Sequence, residues 1–458
     1  LAYAVGALRR LAIRDPAARA RHRARQRGRL LRWAFARLGA TFVKIGQVAS
    51  SRPDVFSPEV IDELRALQDR VPPFAYRQVA AILARELGAP IAARFRAFDR
   101  APVAAGGVAQ VHRAELTDGT EVAVKVLRPG VRAHVRRDAR LVLWLAWLAE
   151  AMCARARAAD AIGHARTLVA GIIAQTDLHH EARNYLRFGR AFAGVPGVIV
   201  PRVHAAWSTR GVLVMDFVHG QALDRVPTGE VAGAAATLRD AFFAMCFEHG
   251  LVHADLHPGN VLVRPDHVIA LIDVGLVKYL SAQVIDQVID FARCVAVGDA
   301  ADLVAHLRRY HHCAVSTDWV EVEADAAAFV AELRARSFAE LEVSAVIGRL
   351  FALARRHGFR PMPELSLVLL GMVTIEGLAK RADPRAHLIG EIARFLGPRM
   401  ARPRRLARGS RRWPRVAPEL GGLVGLPVAA RGLASESGPL PALPVAAAAP
   451  RTARARRS

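Results

Sequence analysis

The stretch that decides the reading is Leu251 to Lys278, LVHADLHPGNVLVRPDHVIALIDVGLVK. His253-Ala254-Asp255 opens a loop, and Asn260 follows Asp255 by five residues. Two short apolar runs, Val261 to Val263 and Val268 to Ile272, flank RPDH, which has the composition of a hairpin turn. Such a hairpin brings Asp255, Asn260 and Asp273 to one end. A carboxylate that orients or deprotonates an attacking group, with an amide oxygen and a second carboxylate for magnesium, is the set that phosphoryl transfer needs. Each residue alone fits a polar turn between core strands; the combination carries the reading.

A second signal lies at residues 95–128. Phe95 to Val103 reads as a strand, and Ala104-Ala105-Gly106-Gly107-Val108-Ala109 as a small-residue loop. Gln110 to Glu115 reads as a strand, Thr117 to Thr120 as a turn, and Val122-Ala123-Val124-Lys125-Val126 as a further strand. A loop without bulky side chains lets backbone N–H groups approach phosphates. Lysine in a VAVK strand gives a point charge for the α- and β-phosphates, and D-x-x-x-x-N followed by a later Asp is protein-kinase catalytic spacing. Glu181, in DLHHEARNYLRF, is the candidate partner for Lys125, although a surface Arg could pair with it instead. His179 and His180 read as solvated helix residues. Gly211 to Phe217 reads as a strand running toward a hinge, with Met215 near an adenine pocket; a buried strand without ligand fits the same residues.

At 458 residues the chain can hold two or three domains. Lys and Arg total 65 against 41 acidic residues, a net charge of +24, and Lys occurs only at 44, 125, 278 and 380. In a chain that writes its cations as Arg, a retained Lys marks a place for a compact ammonium. The charge suits a membrane surface, nucleic acid or phosphorylated ligand, or a merely solvated surface. The four cysteines are far apart and contain no CxxC pair, so neither a disulfide framework nor a zinc site is read, in keeping with a reducing cytoplasm. No signal peptide is read.

Residues 1–38 read as a basic amphipathic helix, suited to a membrane surface or to packing one face on the body. Pro58 to Gln68 and Tyr76 to Leu87 read as helices, as does most of Val131 to Phe188. Leu141 to Met152 is too short, and too interrupted by Glu150, to span a bilayer, and reads as a buried or interfacial helix. After Val231 helices dominate: Ala232 to His249, Ala282 to Val297, Ala300 to Tyr310, Val320 to Arg336, Phe338 to His357 and Leu365 to Ala379. Residues 398–458, basic and Pro/Ala-rich, read as a disordered tail, with Pro427 and Arg431 against a span at 420–434.

Over roughly residues 38–395 the chain resembles the UbiB/ADCK family of atypical kinases. The match is carried by Phe42-Val43-Lys44-Ile45-Gly46-Gln47 (the family's KxGQ element), Ser51 to Asp54, Leu67-Gln68-Asp69, PVAAGGVAQVH at 102–112, VAVK at 122–125, EARN at 181–184, HADLHPGN at 253–260 and IDVG at 272–275. The resemblance implies an α+β, protein-kinase-like two-lobe fold with a helical N-terminal extension and extra helices in the C-lobe. The implied division is 1–94 extension, 95–218 N-lobe with helical insert, 219–397 C-lobe and 398–458 tail. It implies Asp255 as catalytic-loop Asp, Asn260 and Asp273 as magnesium ligands, Lys125 as phosphate Lys and Glu181 as its partner. Ala104, Ala105, Gly106, Gly107 and Val108 form the nucleotide loop, and Lys44, Gly46 and Gln47 an element that folds over the site and restricts protein substrates. It further implies ATP and magnesium as cofactors and ATPase-like support of ubiquinone biosynthesis by a cytoplasmic, peripheral membrane protein. Partners are then ATP, an anionic membrane and quinone-pathway lipids or proteins, with no specific nucleic acid. Two rival readings are a phosphotransferase acting on a small molecule or protein, and a nucleotide-gated scaffold with little turnover.

Three departures stand out. Two glycines replace the small residues of the family's AAAS loop, Gln175-Thr176-Asp177 keeps only the Asp of an E-x-D element, and Val274 replaces the usual Phe after the metal Asp. A neutral Gln175 cannot pair with Lys44, so a less tightly held extension is expected.

Overall fold

The computed structural model describes residues 15–50, 56–67, 72–153, 160–296, 299–311, 317–336, 340–359, 362–383 and 388–400, together with 157, 385 and 386. All of these fall in one compact unit. Expectations for residues 1–14, Ser51 to Asp54, Gln68-Asp69, Cys313 and the tail beyond Met400 lie outside the described residues.

The chain opens with helices α1 (Pro16–Leu38), α2 (Ala40–Ser50), α3 (Pro58–Arg65), α4 (Tyr76–Leu87) and the single turn α5 (Ile91–Arg94). Helix α4 ends at Gly88, whose φ of 67° is the left-handed conformation a C-terminal glycine supplies at little cost. Strands β1 (Phe95–Phe98), β2 (Ala104–Ala105), β3 (Ala109–Leu116) and β4 (Glu121–Leu127) follow. Helices α6 (Val131–Met152), α7 (Ala161–Ala174) and α8 (Leu178–Ala191) form the insert, then come β5 (Val198–Ile199), β6 (Val212–Asp216) and β7 (Gln221–Ala222).

The first sheet runs β1-β3-β4-β6, with β2 paired to β3, and every pairing is antiparallel. Alternation along β4 sends Val122, Val124 and Val126 into one core with Val79 and Leu83 of α4. Ala123 and Leu127 face the other way, into the main core. Lys125 shares that second face by register, which is why a strand lysine points toward the cleft. On β6, Leu213 and Met215 join the same face, opposite Lys125 and Ala123.

The second half contains α9 (Val231–Phe247), β8 (Leu251–His253), β9 (Val261–Val263), β10 (Ile269–Leu271) and β11 (Val277–Tyr279). Helices α10 (Ala282–Ala296), α11 (Ala300–Tyr310), α12 (Trp319–Arg334), α13 (Val343–Arg356), α14 (Pro363–Ala382) and α15 (Leu388–Met400) complete it. Strands β9 and β10 form the hairpin read from the sequence, with Val263 opposite Ile269 and His267 at φ 60° in the turn. Apolar side chains pack all around α9 and α14, so both are central. Buried Glu376 of α14 accepts hydrogen bonds from the N–H groups of Val343 and Ser344, capping α13 from a neighbouring helix.

Two strand expectations need correction. The run Phe95 to Val103 is a regular strand only to Phe98; across the DRAP segment, where proline lacks a donor, single bonds remain from the Asp99 N–H to the Arg113 carbonyl and from the Val103 N–H to the Val111 carbonyl. Ala104 and Ala105 are not open loop: they pair with Val111 and Gln110 in a narrow hairpin. Gly106, Gly107 and Val108 form the turn of that hairpin, with the Gly106 N–H donating to the Ala109 carbonyl and Arg128 donating to the Gly106 and Val108 carbonyls. Helix α15 was not read from the sequence at all.

Gly371 of α14 lies against the Phe242 ring, and a Cβ there would meet ring carbons at 2.4 Å. Both helices are held by neighbours, so neither can step aside. Gly371→Ala is expected to destabilise the fold by about 1–3 kcal/mol through overpacking, read as a lowered denaturant midpoint.

Candidate active site

Lys125 is the hub. Its Nζ donates to Glu181 Oε1 at 2.7 Å and to Asp273 Oδ2 at 3.1 Å, bridging β4, the first turn of α8 and the second residue after β10. Glu181 is almost fully buried, whereas the Asp273 side chain is 41% exposed. Placing Glu181 in the first turn of α8 also sets its charge against the positive helix end.

The three groups set one another's ionisation. Burial favours the neutral form of Lys125, but the two carboxylates outweigh it and raise its pKa. Burial pushes the Glu181 carboxyl up to about 7, against the pull of the Lys125 ammonium. Burial would also raise Asp273, but Lys125, the Gly275 N–H and Lys44 hold it down to about 2. Asp273 is therefore an anion, suited to a hard cation.

The catalytic loop is pinned by main-chain bonds. Asp255 N–H donates to His253 Nδ1 at 3.2 Å, so His253 carries its proton on Nε2 and donates to the Asp273 carbonyl at 2.5 Å. Asn260 Nδ2 donates to the Asp255 carbonyl at 3.1 Å, which leaves Oδ1 as the atom to offer a cation. Gly275 N–H donates to Asp273 Oδ1, and Asn184 Nδ2 to the Val274 carbonyl. The EARN segment thus touches the VAVK strand through Glu181 and the IDVG segment through Asn184. One carboxylate and one amide oxygen, beside a lysine, form the hard-oxygen set that magnesium takes, and so the residues fit that ion.

Helix α2 closes one side. Lys44 Nζ donates to Asp255 Oδ2 at 3.1 Å, and Gln47 Nε2 to the Leu67 carbonyl at 3.4 Å. Phe42 and Ile45 enter the main core, while Ala49 joins a smaller core with Val60, Leu64 and Leu67. Gly46 lets this helix lie close: a Cβ would meet Leu67 at 2.2 Å and Phe35 at 2.8 Å. Lys44 finds its partner in Asp255, and apolar burial also holds α2. Asp177 of the shortened E-x-D element is used elsewhere, capping α8 at the His179 N–H and pairing with Arg210.

A cavity of about 700 Å³ lies on the α2 side of the catalytic loop, lined by Lys44, Gln47, Asp255, Asn260, Leu367 and Thr374 among others. Lys125, Glu181 and Asp273 do not line it. Asp255 and Asn260 line it, and His253 links Asp255 to Asp273. The sequence reading missed this cavity, because part of its wall comes from α14, more than a hundred residues beyond Asp255.

Residues 66–307 match the ABC1 atypical kinase-like domain, which is more than half of the chain. The chain belongs to the UbiB family of atypical kinases. Residues 326–387 match the UbiB helical domain. The chain is similar to the "Probable protein kinase UbiB" of Azotobacter vinelandii, 33% identical over 383 residues, covering 78% of this chain and 68% of the relative. It is likewise similar to that of Marinobacter nauticus, 32% identical over 390 residues, covering 81% and 69%. Among solved structures, the Rv3197–erythromycin complex of Mycobacterium tuberculosis superposes with a TM-score of 0.56 at 22% identity, over 72% of this chain and 85% of that one. The fold is the kinase-like α+β architecture that UbiB membership implies, with helices at both ends.

Because Glu181 gains its proton near neutrality, the Lys125 pairing should weaken on acidification. Magnesium-nucleotide affinity is expected to fall as pH drops through about 7 and to level off above it. Glu181→Gln should bind weakly at every pH and flatten that dependence; isothermal titration across the range checks both.

Proposed function

We propose that this chain is a magnesium-dependent, ATP-using enzyme of UbiB type, supporting ubiquinone biosynthesis at an anionic membrane surface. The observation that carries the reading is the Lys125 ammonium lying between Glu181 and Asp273. In this reading Lys125 holds the α- and β-phosphates, Gly106 to Val108 cover them, and Ala104 and Ala105 brace that turn. Met215, on the cleft face of β6, borders the adenine. Asn260 and Asp273 hold magnesium, which when bound neutralises phosphate charge. Asp255 orients the attacking group, with Lys44 beside it.

The cavity next to Asp255 supports a second reading, phosphoryl transfer to a small acceptor. It is large enough for a small molecule, and α2 stands where a protein substrate would approach. The fate of the γ-phosphate separates hydrolysis from transfer.

The membrane part rests on α6. Leu141, Trp144, Leu145, Trp147 and Met152 are 40–79% exposed along its second half. Leu141, Trp144, Leu145 and Met152 recur at helical spacing on one stripe, preceded by exposed Arg136, Arg137 and Arg140. Aromatic and aliphatic side chains beside arginines suit the boundary between acyl chains and anionic headgroups. Exposed Leu30 and Trp33 add to this on arginine-rich α1. Among the described residues no helix is long and apolar enough to cross a membrane.

Asp273→Asn is expected to abolish magnesium-dependent nucleotide binding, measured by calorimetry; unchanged affinity would refute the assignment. ATP turnover should rise with anionic vesicles. A Trp144→Ser, Leu145→Ser double variant should bind those vesicles at least about tenfold more weakly in a flotation assay, with its fold intact.

A further inference from the structure

Away from the nucleotide cleft, α10 and α11 bring three metal-ligating side chains together. Asp290 and Cys294 stand one turn apart on α10, and His306 faces them from α11. Their ligand atoms all lie within 4.8 Å of one another. All three are at least nine-tenths buried, at 7%, 4% and 2% exposure. Asp290 is already oriented: Arg293 pairs with Oδ1, and Oδ2 faces His306 Nδ1 at 3.3 Å. Buried His311, just past α11, places its ring 5.8 Å from that of His306. Phe291 and Phe359 wall the group in at ring separations of 5.7 Å from His306 and 6.3 Å from His311.

We infer that Asp290, Cys294 and His306 form a binding site for a divalent transition metal, zinc foremost, that clips α10 to α11. A thiolate, an imidazole and a carboxylate are together a borderline-soft donor set, which magnesium and calcium do not select. Tetrahedral zinc needs ligand atoms about 3.3–3.8 Å apart, from bonds of about 2.0–2.3 Å, so the cluster has to contract by roughly 1 Å. Side-chain rotation supplies that much. Binding replaces the Asp290–His306 hydrogen bond and expels the Cys294 thiol proton to solvent. The fourth position goes to His311 or to water. The rival account is a metal-free network in which Arg293 alone balances Asp290.

The inference does not depend on the nucleotide site, and its test does not read catalysis. Untagged full-length chain, stripped with chelator, is titrated with cobalt(II). One equivalent should produce a thiolate-to-cobalt charge-transfer band, and zinc should bleach it. The band should persist in Cys246→Ser and vanish in Cys294→Ser, and His306→Gln should weaken cobalt binding at least tenfold, each variant checked for folding by circular dichroism. Zinc should also raise the melting temperature of the wild type and not that of Cys294→Ser. Absence of the band in folded wild type, or its survival in Cys294→Ser, overturns the site without touching the kinase-like reading.

Discussion

A buried lysine held between two carboxylates is the constraint around which the two halves of this chain are arranged. Lys125 comes from a strand of the first sheet, Glu181 from the helical insert and Asp273 from the hairpin of the second half. Neither Lys125 nor Glu181 could keep its charge alone at that depth. Desolvating an isolated ion costs several kcal/mol, and removing one partner leaves the others uncompensated. The pairing is thus weak evidence for stability and strong evidence for selection of a geometry. It forces β4, α8 and the segment after β10 into a fixed relation, the one the proposed nucleotide site requires.

Legibility followed the range of the interaction. The β9–β10 hairpin was readable because its turn, apolar runs and carboxylates are contiguous. Lys125 was readable because strand alternation dictates its face once the VAVK valines are buried. Lys44 was not readable from the residues alone: its partner Asp255 is 211 positions away, and an isolated lysine on an apolar helix looks like a snorkelling side chain. The length limit excluded a span by α6, but only packing reveals that Trp144 and Leu145 stay uncovered. The Asp290–Cys294–His306 group has no motif spacing, so the scattered cysteines argued against a zinc site, and only two facing helices bring these three side chains together.

The scarcity of lysine gains meaning in this light. Lys44, Lys125 and Lys380 each pair with a carboxylate, respectively Asp255, Glu181 with Asp273, and Glu342. An arginine fork is too broad for the first two positions, where one nitrogen must fit among closely spaced oxygens. Substitution of these lysines by arginine would preserve charge and lose the fit.

Helix α2 reaches the catalytic loop by placing Phe42 and Ile45 in one core and Ala49 in another, with Gly46 seated against Leu67 and Phe35. Lys44 is carried along by that anchoring. Lifting the ammonium from Asp255 by moving the helix means exposing oil-like surface to water as well as breaking an ion pair. On the proposed membrane-surface reading, a lipid bilayer, which wets such surface, would lower that barrier.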